Sequence, residues 1–425
     1  MIDEVTEKTL LKCGAEITGP VVFNFVRWVL DEAMHRGIKT LYFLARDGYT
    51  PFKVANLIVE KLSLPITCKY LYCSRNSLRL PTYHFIGDEA YDLLSLGGYH
   101  VTVDSILNRV PLSTSTKQTI LRELDIPTEN AIKTLSKKEI FTFTNRLRTN
   151  ETYRAVVSEK SKEAYLPAIG YLRQEGLLEQ DTVAIVDSGW TGSMQRSLRQ
   201  LLESVGHSGT LVGFYFGLYA QPSDPHDGTY LSWYFNKQGR TKDKVLFCNN
   251  LFECILSAPH GMTLSYQESS GRFEPVLLPG SDKYSLKLIN AQIESIINYS
   301  SAQLPALENS FDRRAALKLT RKMLHRFMSK PTKEEALTYG RFLFDDDVTD
   351  SNQYSLANAN QLLLLRGYSI PARVFRKIRK VGKNIPELFW PYGTIAFLPV
   401  LKQWWYRWNV IGWESLKYLN QYLRD

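Results

Sequence analysis

Three short stretches of the chain carry charged and hydroxyl side chains immediately after an apolar run. The first is Arg46-Asp47-Gly48, which follows LYFLA. The second is Ser74-Arg75, with Arg79 four residues on, and it follows CKYLYC. The third, Asp187-Ser188-Gly189-Trp190-Thr191-Gly192-Ser193, follows VAIV and runs into a helical pattern with Leu198, Leu201 and Leu202 on one face. Each reads as a strand-to-helix junction. In open α/β sheets ligands bind at such junctions, and the unpaired N–H groups of a helix start favour an anion. Gly189 and Gly192, with the small side chains of Ser188, Thr191 and Ser193, let the main chain close around a phosphate, with the Asp187 carboxylate at its lip. The plain alternative is an ordinary glycine-containing turn, since the Gly-Lys-Ser/Thr of a P-loop is missing.

The charges at the other two junctions also admit two readings. Arg46 beside Asp47 faces either a cleft or its own neighbour as a structural ion pair, because charges at a strand end are costly without a partner. Arg75 and Arg79 would share one face of a short helical turn and together suit phosphate, although each alone reads as a surface cation. Glu253 lies on an apolar helical face and His260 in the turn Pro259-His260-Gly261. Each is a candidate proton carrier or a structural group.

The elements that must position these residues follow from the periodicity. Gly19-Pro20 opens an apolar helix that closes at Gly37, Thr40 to Leu44 is a strand, and a helix begins near Pro51. Cys68 to Cys73 is the next strand; later ones lie over Thr210 to Tyr219 and Tyr230 to Phe235, with a turn cluster from Pro222 to Gly228 between them. The expected architecture is α/β: a mostly parallel sheet with flanking helices, a helical insertion and a helical C-terminal region. The boundaries expected are 1–86 and 178–280 for the two parts of the α/β core and 87–177 for an insertion that walls or covers the cleft. A helical region over 281–370 and a basic, tryptophan-rich tail over 371–425 complete the chain.

Composition narrows the setting. Over 425 residues, 44% hydrophobic and 22% charged content is that of a folded globular protein. Cys13, Cys68, Cys73, Cys248 and Cys254 have no CxxC spacing, which argues against a zinc site or disulfide framework and for a reducing, cytoplasmic compartment. The acidic start MIDEVTEKTLLKCG does not read as a signal peptide. A net charge of +9 favours phosphate-bearing partners or an anionic membrane face. Nucleic acid is not expected, because no nucleic-acid-binding signature is present and the cations concentrate late in the chain. There, Arg373, Arg376, Lys377, Arg379, Lys380 and Lys383 precede Trp390, Trp404, Trp405, Trp408 and Trp413. Interruption by Pro391, Pro399, Lys402 and Arg407 argues against a spanning helix. The mixture suits a peripheral anchor on the inner face of the cytoplasmic membrane, the alternative being a helix docked on the core by its tryptophans.

The run VDSGWTGS resembles the phosphoribosyltransferase loop that holds phosphoribosyl pyrophosphate, with Ser188 in place of the second acid and a shorter loop. FLARDGY, YLYCSR and VDSGWTGSMQ, in that order between Gly19 and Tyr266, are more closely similar to the glycan phosphoribosyltransferase domain of bacterial dual-domain ribofuranosyltransferases. That resemblance implies transfer of a 5-phosphoribosyl group from phosphoribosyl pyrophosphate to a sugar hydroxyl of a glycan, in assembly of a surface polysaccharide such as O-antigen or capsule, and the membrane-surface tail fits an acceptor carried on a polyprenyl lipid. The chain lacks the FDxFDT-type motif of the phosphatase that accompanies this domain, and two residues after Asp47 stands Tyr49 instead of a second acid. Removal of the 5-phosphate is therefore expected of a separate phosphatase.

Roles follow from the same resemblance. The cradle Ser188 to Ser193 would hold the 5-phosphate and Asp187 the ribose hydroxyls, while Arg46, Arg75 and Arg79 would neutralise the departing pyrophosphate. Gly48, Ser74, Trp190 and Gln195 complete the expected substrate contacts. Asp47 is the first choice of general base, with Glu253 and His260 behind it. Mg2+ is expected on the pyrophosphate, without a dedicated ligand cluster. Two rivals remain: a haloacid dehalogenase-type phosphatase with Asp47 as nucleophile, and a non-catalytic scaffold for polysaccharide assembly.

Overall fold

Near-continuous apolar strands are what a parallel sheet covered on both faces requires, and the central sheet of this chain is built of them. The computed structural model describes all residues except 1, 97, 99, 221–225, 227, 346–352, 380–387 and 423–425. Strands β1 (Thr40–Leu44), β2 (Thr67–Leu71), β3 (Thr182–Trp190), β4 (Thr210–Leu218) and β5 (Thr229–Phe235) lie in the order β2-β1-β3-β4-β5, every neighbouring pair parallel. Side chains alternate between two cores. Leu41, Phe43, Ala184 and Val186 face one, and Tyr42, Leu44, Val183 and Ile185 face the other.

Helices cover both faces. Helix α1 (Gly19–His35) starts with a proline in its first turn and ends before Gly37, whose φ is 67°. Its Trp28 is buried with ring centroids 5.9 Å from Phe214 and 5.8 Å from Trp233. Helix α2 (Tyr49–Leu62) links β1 to β2, and the short α3 (Arg75–Arg79) follows β2. The opposite core is closed by α4 (Glu151–Gln174), which precedes β3, and by α5 (Ser193–Glu203), which links β3 to β4 through Leu198, Leu201 and Leu202. Farther on come α6 (Asn249–Leu256) and α7 (Val400–Tyr422).

Connectivity decides where a ligand can enter. From β1 the chain moves outward to β2, then returns past β1 to β3 on the other side. The reversal opens a crevice outside the carboxyl ends of β1 and β3. Arg46-Asp47 and Asp187 follow those two ends. Between β2 and β3 the helical insertion forms its own core, including Leu94, Ile106, Leu107, Ile120, Leu147 and Tyr153.

Three expectations need correction, and one hairpin is new. Strand β3 does not stop at Val186 but continues to Trp190, because Gly189 and Trp190 still pair with Gly217 and Leu218 of β4. Strand β2 ends at Leu71, before the expected Cys73, because Ser74 turns the chain by capping α3. The stretch after His260 folds as a hairpin of β6 (Thr263–Ser269) and β7 (Arg272–Leu277), against which α4 packs. The tail is also not broken: once Pro399 is passed, α7 runs 23 residues through Lys402 and Arg407. The turn expected over Pro222–Gly228 lies mostly outside the described residues, as do Lys380, Lys383 and the side chains of Arg376, Lys377 and Arg379.

Candidate active site

The turn after β1 is tight. Gly48 N–H donates to the Leu44 carbonyl at 2.8 Å, and a Cβ on Gly48 would stand 2.5 Å from that same oxygen. Gly48 therefore builds the turn that lifts Arg46 and Asp47 over the sheet. At the end of β2, the Ser74 hydroxyl accepts from Ser77 N–H at 3.0 Å and donates to the Thr263 carbonyl at 2.7 Å. That capping pins α3, with Arg75 exposed at its first position. Beyond Asp187, β3 bends sharply: Gly189 has φ 112°, Trp190 74° and Gly192 66°. Any Cβ at Gly189 would meet the Gly217 carbonyl at 2.3 Å. Gly192 caps α5 in the left-handed conformation, leaving the Ser193 end of that helix facing the crevice.

These three junctions converge. Arg46, Asp47, Ser74, Arg75, Asp187, Ser188, Gly189, Trp190, Thr191, Ser193 and Glu253 line one cleft of ≈ 290 Å³, together with Ala45, Cys73, Met194 and Met262. Asp47 accepts a hydrogen bond from the Ser188 hydroxyl. Glu253, brought in by α6, accepts from the Trp190 indole N–H at 2.5 Å. The indole is wedged between Phe235, Phe247, Phe252 and Tyr219, with ring centroids at 6.4, 5.4, 6.2 and 6.1 Å.

Five residues expected to touch substrate do not line the cleft. Gly48 and Gly192 act through the backbone, as described. Arg79 is only 5% exposed and lies behind the wall, donating from its guanidinium to the Ser193 hydroxyl at 3.0 Å. Gln195 is on the inner face of α5, where it accepts from Tyr215 Oη at 2.8 Å and donates to the Thr229 carbonyl at 3.3 Å. His260 turns to Tyr70, with Nε2 2.8 Å from Tyr70 Oη and Nδ1 2.8 Å from the Gly261 carbonyl. That carbonyl can only accept, so Nδ1 carries the proton and Nε2 accepts from the phenol. His260 thus has no lone pair left for a general base.

Charge is crowded here. Burial, then repulsion from Asp47, pushes the Asp187 carboxyl up to about 8, against donation from the Ser188 and Gly189 N–H groups. Burial also raises Asp47, opposed by the Ser188 hydroxyl, Arg46 and Arg75. Glu253 is raised by burial and by Asp47, opposed by the Trp190 indole and by Arg75 and Arg46. Behind the wall, burial lowers Arg79 to about 10, which still leaves it cationic at neutral pH. Among the described residues no carboxylate pairs with Arg79 within salt-bridge distance.

Among the described residues no group of three or more His, Cys, Asp or Glu is spaced to hold a metal ion. No protein-family model and no curated protein matches the chain.

Sequence reasoning named Trp190 and Glu253 separately and missed that they bond, because 63 residues separate them. A signal was available for Arg79: Leu78 and Leu80 flank it, and both are buried.

Two outcomes test the site, one its electrostatics and one its backbone. A carboxyl whose pKa is raised on folding contributes its stability in full below the ordinary carboxylate range and loses it as pH rises through the folded value. Asp187→Asn should therefore melt above the wild type, by roughly 3 °C at about pH 8.5, with the gap shrinking toward about pH 5; thermal scans across that range that show a constant gap refute the burial argument. Gly189→Ala should destabilise by roughly 2 kcal/mol or more at every pH, read by urea unfolding, because its left-handed backbone and the Gly217 carbonyl leave no room for a methyl group.

Proposed function

We propose that the chain is a glycosyltransferase that moves a 5-phosphoribosyl group from phosphoribosyl pyrophosphate to a hydroxyl of a lipid-linked glycan. The observation that carries this reading is the convergence, at one switch point, of two guanidinium groups, the start of α5 and three carboxylates. A doubly phosphorylated pentose needs that combination: cations and N–H donors for its phosphates, acceptors for its ribose hydroxyls. Ser188 to Ser193 and the start of α5 receive the 5-phosphate, with Arg79 holding the Ser193 hydroxyl in place from behind. Asp187 takes the ribose hydroxyls. Arg46 and Arg75 face the pyrophosphate, where negative charge grows as the C1–O bond breaks. The acceptor oxygen forms the new bond to C1, its proton passes to Asp47, and pyrophosphate leaves. Asp47 suits the task because Arg46, Arg75 and the Ser188 hydroxyl all favour its ionised form against burial. Magnesium carried on the donor pyrophosphate would add to the charge neutralisation that Arg46 and Arg75 supply. The 5-phosphate stays on the product for a separate phosphatase.

The membrane belongs to the same reading. Among the described residues no helix is long and apolar enough to cross a bilayer. Helix α7 docks through Asn409, whose side chain accepts from Ile370 N–H at 2.8 Å, and through buried Val410. Its opposite face shows Leu401 at 87% exposure, Trp404 at 65% and Trp408 at 59%, beside exposed Lys402. Three partly exposed tryptophans with Trp405 among them form a patch that an anionic bilayer surface would cover. On this reading the docked face of α7 and the interfacial face would be opposite sides of one element.

Incubation of the protein with phosphoribosyl pyrophosphate and cell-derived lipid-linked glycans should release pyrophosphate and give a product heavier by one phosphopentose. Asp47→Asn and Asp187→Asn should each lower the rate by roughly 100-fold or more with the fold retained, and full activity in both would refute the site. Separately, the triple replacement of Trp404, Trp405 and Trp408 by alanine should abolish co-sedimentation with phosphatidylglycerol vesicles; binding equal to wild type would sink the membrane assignment.

A further inference from the structure

Next to the cleft, against edge strand β2, sits a cluster of rings that the reaction scheme leaves idle. It comprises Tyr70 of β2, Tyr72 just past its end, Tyr49 at the start of α2 and His260 in the turn before β6. Ring centroids are 5.0 Å apart for Tyr72 and His260, 5.1 Å for Tyr70 and Tyr72, and 5.4 Å for Tyr49 and Tyr70. Tyr70 packs inward on Phe52 at 5.8 Å and holds His260 by its hydroxyl. Tyr49, Tyr72 and His260 remain only half-buried.

The platform is rigid and abuts the reacting groups. Tyr72 N–H donates to Tyr171 Oη at 3.0 Å, and its carbonyl accepts from Tyr266 Oη at 2.8 Å. Those two phenol rings stack at 4.5 Å, so the edge of β2 is clamped where another sheet would leave it open. Tyr49 belongs to the same turn as Asp47, Tyr72 precedes the cleft residue Cys73, and His260 lies two residues before the cleft residue Met262. A molecule resting on these rings therefore approaches Asp47 from the side away from β3, where the donor phosphates would sit.

We propose that Tyr49, Tyr72 and His260 form the acceptor subsite, a platform for one pyranose ring of the glycan, which presents its hydroxyl to Asp47. A pyranose has an apolar C–H face that packs on aromatic rings and a rim of hydroxyls that seeks polar tips, the two properties that tyrosine combines. This subsite rests on the transferase reading above and assigns His260 a shaping role in place of proton transfer.

The test uses the full chain with Tyr72→Ala and Tyr72→Phe. Quenching of tryptophan fluorescence by phosphoribosyl pyrophosphate, which would contact Trp190, reports the donor site. Lipid-linked glycan titration in the pyrophosphate-release assay, with saturation-transfer NMR on methyl hexopyranosides, reports the acceptor site. Tyr72→Ala should raise the acceptor KM roughly tenfold, lose the saturation transfer seen with wild type and keep the donor affinity, while Tyr72→Phe, which retains the ring, should keep most of the acceptor affinity. An acceptor KM within about twofold of wild type in Tyr72→Ala overturns the subsite while leaving the transferase reading intact. Absence of donor quenching and pyrophosphate release in wild type overturns the transferase reading itself; the NMR arm then still decides whether the platform binds sugar, and no saturation transfer in wild type refutes it.

Discussion

The structure turns on the desolvation of carboxylates at a switch point. Asp47, Asp187 and Glu253 arrive on three different elements and repel one another in a crevice that strips away much of their water. Burying one carboxylate without a partner costs several kcal/mol, and like charges add to that. A fold tolerates such a cost only where something else is gained. Arg46 and Arg75 supply part of the compensation. Behind them, Arg79 stands in the mirror situation, a buried cation with the Ser193 hydroxyl in front of it and, among the described residues, no carboxylate in salt-bridge reach. The site as a whole thus sets buried acids against cations within one crevice.

Backbone geometry keeps that arrangement from relaxing. Trp190 holds a left-handed φ of 74°, which an L-residue with a bulky side chain adopts at a cost of about 1–3 kcal/mol. The aromatic cage around its indole fixes the ring, and the indole N–H in turn fixes Glu253. Gly189 permits the bend because the neighbouring strand carbonyl would exclude any side chain there. Strand pairing continues through this distortion as far as Leu218. The sheet therefore carries the strain into its hydrogen-bonded ladder, instead of leaving the cleft on a free loop.

Much of this was legible because the relevant signals are local. The strand Thr40–Leu44 is bounded by a glycine-closed helix and a charged turn, and the β-branched run before Asp187 admits few other readings. That Arg46, Asp47, Arg75 and Asp187 share a cleft follows from parallel topology once strands and helices alternate. The rest depended on side-chain direction and on distant partners. Gln195 and Arg79 stand at helical positions that look surface-directed in a motif but face inward once α5 and α3 pack. For His260 the sequence left a proton carrier and a structural group both open, and its partners, a phenol on an edge strand 190 residues away and a neighbouring carbonyl, make it the structural one. In α7 the interrupting residues lie along a helix without breaking it, because lysine and arginine are good helix formers and only proline ends one.

The tail and the cleft are physically connected. Tyr418, near the end of α7, stacks on Tyr219 at 6.3 Å, and Tyr219 lies 6.1 Å from Trp190. The Tyr219 hydroxyl also donates to Asn249 at 2.8 Å, one turn before Glu253 on α6. Helix α7 is therefore anchored at the carboxyl edge of the sheet, the same edge that bears Asp47 and Asp187. On the membrane-anchored reading proposed above, the exposed tryptophan face and the cleft would belong to one connected unit. The same chain of rings gives the tail a second consequence: loss of the Tyr418 contact would loosen the cage that orients the Trp190 indole, and with it the carboxylate of Glu253.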